Sequence, residues 1–161
     1  MAKDYRSQDL RISGYASLFG VQDMGGDIVR KGAFAGSLLT LGGAPLPMLF
    51  GHETAVPIGV WDRAVEDDTG LYVEGRLLKL DKPRRYISRL VQGGALSGLS
   101  IGYRALRVSA RPAGGRDLTE IDLWEVSIVA FPMLRAARLT LSQSPDFSLS
   151  YMPRASKRTA L

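Results

Sequence analysis

The heptapeptide LWEVSIV, residues 123–129, is the part of the sequence that says most about the fold. It belongs to a longer stretch, residues 118–131, whose second half is nearly continuous in apolar residues and predicts a β-strand. Glu125 stands inside this apolar segment, where burying an unpaired carboxylate would be costly. The sequence therefore predicts a strand whose carboxylate has a specific partner, either a catalytic group or one of the arginines.

Further strands and turns surround this segment. The 18 glycines and 8 prolines favour many turns and short strands over long helices. Strands are predicted over residues 10–19 (with a bulge at Gly14), 28–30, 58–65, 70–78 and 99–109. Residues 47–51 form a short apolar run that leads directly into His52.

The helical content is small. Apolar residues at helical spacing predict a helix over residues 81–92, with Asp81 as its N-cap. Residues 34–41 predict a shorter helix. We therefore expect a mainly β protein with a few helices (α+β), built as a single domain over residues 1–141. Residues 142–161 are dominated by Ser, Pro and Arg and predict a flexible basic C-terminal tail.

The composition excludes several kinds of chemistry. The 161 residues contain no cysteine, which excludes disulfides, thiolate metal sites and cysteine nucleophiles. The single histidine, His52, excludes a zinc site of two or three histidines, so we expect neither a metal nor a cofactor. The N-terminus is polar and no run reaches the length of about 18 apolar residues that spans a membrane. We therefore expect an intracellular, soluble protein without a membrane partner.

The net charge of +5 raises the question of an acidic partner such as nucleic acid. Residues 135–161 carry +4 of this charge, whereas residues 1–134 carry only +1. Within residues 1–134 a basic block at residues 76–89 is opposed by an acidic block at residues 53–74. A nucleic-acid-binding face needs continuous basic residues with interleaved aromatics, so nucleic acid is not expected as a partner.

Residues 98–102, GLSIG, match the G-x-S-x-G pattern that marks the nucleophilic serine of α/β-hydrolases. In that fold the serine lies between a strand and a helix, and its histidine follows it in the chain. Here the pattern follows the predicted helix, precedes a strand and comes after the only histidine. An α/β-hydrolase is therefore disfavoured, and an esterase of this type stays only as a minor alternative.

A serine nucleophile still needs a base, and His52 is the only imidazole that could serve Ser100. A third group usually fixes the tautomer of the imidazole, and Glu125 is the first candidate for that role. Asp122 and Glu120 are alternatives on the opposite face of the strand. Ordinary roles are open as well: a histidine in a surface turn, a small serine at a close backbone approach, and a carboxylate paired with an arginine.

Four stretches of the chain, taken in order from residue 14 to residue 132, carry a family resemblance. They are GYASLF (14–19) with DIV (27–29) and GAF (32–34), PMLFGH (47–52), GLSIGY (98–103), and LWEVSIV (123–129) with FP (131–132). In this order the chain resembles the prohead (capsid maturation) proteases of tailed phages and gene-transfer particles. That family is similar in fold to the herpesvirus assembly protease, assemblin.

The resemblance implies a serine endopeptidase on a herpesvirus-protease-like β-barrel flanked by helices. It places the catalytic pair at His52 and Ser100, and the third member at Glu125. The herpesvirus relatives use a second histidine as third member, which this chain lacks, so an acid would take its place. The residues after Pro132 depart from the expected small polar residue, which leaves the oxyanion-hole residues near Arg135 unassigned.

The resemblance also implies partners and a place of action. The substrate would be the scaffolding segment of the major capsid protein, together with the protease itself. Cleavage would occur inside the immature capsid (prohead) in the bacterial cytoplasm, with the basic tail as a packaging or self-cleavage segment. A homo-oligomer is expected by analogy with the herpesvirus relatives. The alternative is a catalytically inert module that binds the capsid or scaffold on the same fold.

Overall fold

The computed structural model describes residues 9–142, in which eight strands and two helices are present. In chain order these are β1 (Leu10–Leu18), β2 (Asp27–Val29), α1 (Ala35–Leu41), β3 (Leu46–Phe50), β4 (Gly59–Glu66), β5 (Gly70–Leu77), α2 (Lys82–Gln92), β6 (Gly98–Ala110), β7 (Arg116–Val129) and β8 (Leu139–Leu141). The prediction of a mainly β protein with a few helices is confirmed. Of the predicted tail, residues 142–161, only Ser142 lies among the described residues, so the flexibility of this segment stays a prediction.

The strands form one sheet in which β7 has neighbours on both sides. The strand order is β2-β7-β3-β4-β5-β1-β8, and β6 pairs with β7 in addition. β6 and β7 are antiparallel along nearly their whole lengths, whereas β2 and β3 run parallel to β7 at its two ends. The last five residues of β7 are buried on both faces of the strand, which explains why this end is so apolar.

The two ends of the sheet meet and close it into a ring. β8 pairs with β1, and the segment just before β8 reaches β6 through a bridge between Gly98 and Arg138. Leu99 N donates to Ala137 O at 3.0 Å, and Leu139 N donates to Ser97 O at 2.9 Å. The contacts run β1-β5-β4-β3-β7-β6 and return to β8 and β1 only through this bridge and these two hydrogen bonds, an arrangement compatible with the β-barrel that the family resemblance implies.

Gly14 lies where this ring closes most tightly. A Cβ atom at this position would come within 2.2 Å of Arg138 O, so only glycine allows β1 to approach the chain before β8. The predicted bulge at Gly14 was wrong. The register shift between β1 and β5 lies further along β1, between Tyr15 and Ser17.

The core fills the inside of the ring and includes Trp61, Phe34, Met48, Leu71, Leu99, Leu118 and Ile128, all essentially buried. Trp61 also contributes a polar contact, because its Nε1 donates to Val126 O at 2.9 Å in the buried interior. This bond ties β4 to the back of the strand that carries Glu125. The indole thus supports the site from inside the barrel.

The two helices lie against this barrel. Asp81 caps α2 by accepting a hydrogen bond from Arg84 N at 2.9 Å, as the sequence predicts. α1 has no buried residue and is tied to β7 by Ser37 Oγ, which accepts from Leu123 N at 2.8 Å. Within residues 9–142 no helix has the length and apolar character needed to cross a membrane.

Candidate active site

The register of β6 and β7 brings four residues to one face of the sheet. Ser100 lies opposite Ser127, and Gly102 lies opposite Glu125. Because alternate residues of a strand share a face, the side chains of Ser100, Glu125 and Ser127 project on the same side. On this face, Glu125 of β7 therefore lies one side-chain position away from Ser100 of β6, the predicted nucleophile.

His52 reaches this face from the end of β3. Gly51 and His52 have φ values of 59° and 64°, and Glu53 N donates to Phe50 O at 3.1 Å to close the turn. Positive φ at both central positions is the mark of a type I′ turn. Among residues 9–142, His52 is the only non-glycine residue with a positive φ, a conformation that costs about 1–2 kcal/mol. Unfavourable backbone of this kind is concentrated at functional sites.

The imidazole of His52 joins the predicted nucleophile to the predicted acid. Its Nε2 lies 3.1 Å from Ser100 Oγ, and its Nδ1 lies 2.6 Å from Glu125 Oε1. A neutral imidazole with its proton on Nδ1 would donate to an ionised Glu125 and leave Nε2 as the acceptor for the serine hydroxyl. His52 is therefore within hydrogen-bonding distance of both the serine and the acid proposed from the sequence.

Glu125 is buried, with only 7% of its surface exposed. Within residues 9–142 its carboxylate lies against His52 and forms no salt bridge with a lysine or arginine, which disfavours the alternative of a structural pair with an arginine there. A Cβ atom on Gly102 would come within 2.1 Å of Glu125 Oε1. The second glycine of the GLSIG pentapeptide thus leaves the space into which the carboxylate fits.

The alternative acids are placed elsewhere. Asp122 lies 3.4 Å from Arg104 and accepts from Trp124 Nε1 at 3.0 Å. Glu120 lies 3.4 Å from Arg107. Both carboxylates are half-exposed and belong to surface ion pairs, so neither is available to orient His52.

Ser127 is a member of the site that the sequence did not single out. It is fully buried, and its Oγ donates to Glu125 Oε2 at 2.8 Å while accepting from His52 N at 2.9 Å. The signal that could have found it is strand alternation, since it lies two residues after Glu125 on the same face.

Two open spaces adjoin the candidate site, and Ser100 lines one of them. The first space, here called the His52 groove, has a volume of about 570 Å³ and is lined by His52 and Glu125 together with Pro47, Leu49, Ile101 and Trp124. The second, here called the Asp27 cleft, has a volume of about 130 Å³ and is lined by Ser100 together with Asp23, Asp27, Leu99, Tyr103 and Met133. The side chain of His52 is 44% exposed, so the imidazole is accessible from the groove.

The Asp27 cleft has its own electrostatic character. Arg116 donates to both carboxylate oxygens of Asp27, at 2.9 and 2.6 Å, and these bonds hold the pKa of Asp27 below its usual value. Burial, followed by the negative charges of Asp27 and Asp23, raises the pKa of Tyr103. The cleft thus combines a neutral phenol with an ionised, paired carboxylate.

Comparison with known proteins identifies the family. Residues 1–148 match the family model described as "Caudovirus prohead serine protease". The chain belongs to this family. The prohead protease of Enterobacteria phage HK97 is 32% identical over 138 residues, which cover 84% of this chain and 61% of that protein. The capsid polyprotein of Pseudomonas phage PAJU2 is 28% identical over 109 residues, which cover 63% of this chain and 16% of that protein. This family member therefore spans less than two thirds of the length of either relative.

Solved structures confirm the fold prediction. The capsid assembly protease of bacteriophage T4 superimposes with a TM-score of 0.62 and 13% identity, covering 75% of this chain and 81% of that chain. The KSHV protease in complex with a hexapeptide phosphonate inhibitor gives a TM-score of 0.59 and 16% identity, covering 85% of this chain and 66% of that chain. The prohead protease family member described here therefore has a herpesvirus-protease-like fold.

Proposed function

We propose that this protein is a serine endopeptidase that cleaves the scaffolding segment of a major capsid protein, and itself, during prohead maturation. The observation that carries the proposal is the unbroken series of hydrogen bonds from Ser100 through His52 to Glu125, at 3.1 and 2.6 Å. The names of its relatives, a prohead protease and a capsid polyprotein, support a capsid substrate. The place of action would be the immature shell in the bacterial cytoplasm.

The proposed reaction begins with Ser100. As its Oγ attacks the scissile carbonyl carbon, His52 Nε2 takes the hydroxyl proton and becomes part of an imidazolium. The tetrahedral intermediate collapses when the same proton passes to the leaving amine, which breaks the peptide bond and leaves an acyl ester on Ser100. Water then attacks the ester while His52 Nε2 takes one of its protons. The bond between the acyl carbon and Ser100 Oγ breaks, the new C-terminal acid leaves, and His52 returns the proton to Ser100.

Glu125 supports each of these proton transfers. Its Oε1 accepts the Nδ1 proton, which keeps Nε2 unprotonated and directed at Ser100. Its negative charge also stabilises the imidazolium that forms while the serine attacks. Because the carboxylate is buried, water screens this interaction only weakly.

The His52 groove and the Asp27 cleft would take two side chains of an extended polypeptide substrate. One side chain of the substrate would lie in the His52 groove, which is mostly apolar, and another would enter the smaller Asp27 cleft. A chain held at both sides would bring its carbonyl carbon over the serine oxygen. Such positioning supplies a large part of the rate enhancement in peptide hydrolysis.

The test is to express the chain together with the major capsid protein of the same phage genome. The wild type should produce a shortened capsid band, and Ser100→Ala should produce none while keeping its thermal unfolding midpoint. Ser88→Ala is the matched control, since it also removes the hydroxyl of a buried serine but lies on α2, outside the groove and the cleft. A peptide phosphonate should label Ser100 in the wild type, as read by peptide mass spectrometry.

Three results would overturn the proposal. Capsid protein that copurifies with the wild type but is never shortened would identify an inert capsid-binding module. Turnover of a short-chain nitrophenyl ester without cleavage of the capsid protein would identify an esterase. Processing that persists in Ser100→Ala would remove the serine from the mechanism.

A further inference from the structure

Ser127 holds two parts of the candidate site at once. Its Oγ accepts the His52 backbone N–H at 2.9 Å and donates to Glu125 Oε2 at 2.8 Å. A serine hydroxyl has a single proton, so donation to Glu125 fixes its direction and leaves its lone pairs for the His52 N–H. The only proton of this hydroxyl is therefore committed to Glu125, and one of its two lone pairs is committed to His52.

The bond to His52 replaces a missing backbone partner. The parallel pairing of β3 with β7 continues as far as Gly51, whose N–H donates to Ile128 O at 3.1 Å. One residue later the chain turns with a φ of 64° at His52, and the next N–H meets the side chain of Ser127 instead of a carbonyl. The hydroxyl therefore fastens the unfavourable left-handed residue to β7.

The bond to Glu125 fixes the rotation of the carboxylate. A carboxylate on a flexible side chain can turn about its last bond, and this torsion is only broadly restricted. With Oε2 held by Ser127, Oε1 is the oxygen that faces His52 Nδ1. The absence of a side chain at Gly102 leaves room for that oxygen, so the carboxylate has one well-defined place.

We infer that Ser127 is a positioning residue of the proposed peptidase, which sets the geometry of the His52–Glu125 pair for proton transfer. This inference rests on the proposed function. Ser127 lines neither the His52 groove nor the Asp27 cleft, and its hydroxyl makes no hydrogen bond to Ser100. It therefore acts through its two partners, His52 and Glu125. Its loss should reduce kcat rather than substrate binding, because the groove and the cleft are unchanged.

The single histidine makes a direct measurement practical. The proton on His52 Nδ1, shared with Glu125 at 2.6 Å, should give a low-field NMR resonance that belongs to the only imidazole in the chain. Ser127→Ala should move this resonance upfield or lose it to exchange with water, since the carboxylate is then free to turn. Ser127→Thr keeps a hydroxyl on a strand that favours β-branched residues, and should retain the resonance. Ser88→Ala, the buried control, should leave it unchanged.

Kinetics complete the test on a peptide that spans the cleavage site mapped in the capsid protein. Ser127→Ala should lower kcat about 10- to 100-fold with little change in KM, and Ser127→Thr should restore much of the loss. If Ser127→Ala does not fold, Ser127→Cys serves in its place, because a thiol has similar size but donates and accepts weakly.

Each outcome decides the inference. A resonance that stays in place in Ser127→Ala overturns it whatever the kcat, and a lost resonance with unchanged kcat overturns it as well. If the wild type cleaves no peptide, the proposed function fails, and the resonance alone decides whether Ser127 holds the pair. Loss of the resonance together with a lower kcat, and recovery of both in Ser127→Thr, confirms it.

Discussion

The inner and outer halves of the β6–β7 hairpin both carry carboxylates and use them differently. The inner half, residues 98–102 and 125–129, is mostly buried and places Glu125 against His52 and Ser127. In the outer half, residues 103–110 of β6 are largely exposed, residues 116–124 of β7 bury only one face, and the acids of the other face pair with arginines. The register shifts between the two halves, so that Gly102 faces Glu125 and Tyr103 faces Leu123, with Trp124 as the extra residue.

This difference teaches that burial decides what a carboxylate can do on the same pair of strands. In the outer half, an exposed ion pair such as Arg107–Glu120 contributes only about 0–1 kcal/mol to stability, because both charges remain hydrated. In the inner half the carboxylate has lost water on most sides, so each remaining hydrogen bond fixes its position strongly. The following predictions test this contrast, beginning with the largest expected effect.

Glu125→Gln should lower kcat about 10³- to 10⁴-fold, because an amide at this position does not hold the imidazole in the tautomer that accepts the serine proton. The measurement is kcat on the capsid-derived peptide, with circular dichroism to confirm the fold. The matched variant in the outer half is Glu120→Gln, which should leave kcat unchanged within about twofold. Equal losses in the two variants would contradict the contrast between the halves.

Gly102→Ala should lower kcat about 100-fold, since a Cβ placed 2.1 Å from Glu125 Oε1 displaces the carboxylate from His52. The same overpacking should reduce the free energy of unfolding by about 1–3 kcal/mol, measured by urea denaturation. Gly36→Ala is the control, because it lies on α1 with no atom within 4 Å of its added Cβ. That variant should be as active as the wild type and equally or slightly more stable.

Asp27→Asn tests a carboxylate of intermediate kind, which is buried but paired with the half-exposed Arg116 of the outer half. The lowered pKa of Asp27 means that its ionised form stabilises the fold above the unfolded-state value of about 3.9. This stabilisation is lost as the pH falls through the folded-state value. The variant should be about 1–2 kcal/mol less stable at pH 7 and should lose less stability on acidification.

Urea denaturation between pH 7 and the acid range measures this effect. Asp68→Asn is the control, since Asp68 pairs with Lys31 at a fully exposed position and should contribute little at any pH. If acidification destabilises Asp27→Asn as much as the wild type, then another carboxylate is responsible for the loss of stability at low pH.

The smallest effect is expected for the exposed pair of Arg107 and Glu120. A double-mutant cycle with Arg107→Ala and Glu120→Ala should give a coupling of about 0.2–1 kcal/mol, and salt should reduce it further. A coupling energy several times larger that persists at high salt would contradict the proposal that solvent screens the ion pairs of the outer half.

Much of the inner half could be predicted from the sequence because its options were few. One histidine and one carboxylate inside an apolar strand left little choice for the base and its first candidate partner, and the structure places His52 between Ser100 and Glu125. Asp122 and Glu120 stayed open as alternatives, because their pairing with arginines is not visible in the sequence. The choice of base and first acid depends on composition and period, which are visible in a linear chain.

Ser127 and β8 could not be predicted for different physical reasons. The role of Ser127 depends on a backbone N–H that lies 75 residues away and is oriented by a left-handed residue, and neither fact is local. β8 has only three residues, LTL, and owes its conformation to β1 and the start of β6 rather than to its own pattern. Tertiary contacts of this kind override local propensity.

The closure of the barrel has a consequence for the time at which activity can arise. Ser13 and Thr140, which meet where the first and last strands pair, are separated by 127 positions in the chain. His52 is 48 positions from Ser100 and 73 from Glu125. Contacts this distant form late in folding, because the entropy of closing long loops must be overcome first. A partly folded chain would therefore lack the candidate site, and the proposed peptidase activity would arise only once the strands have closed.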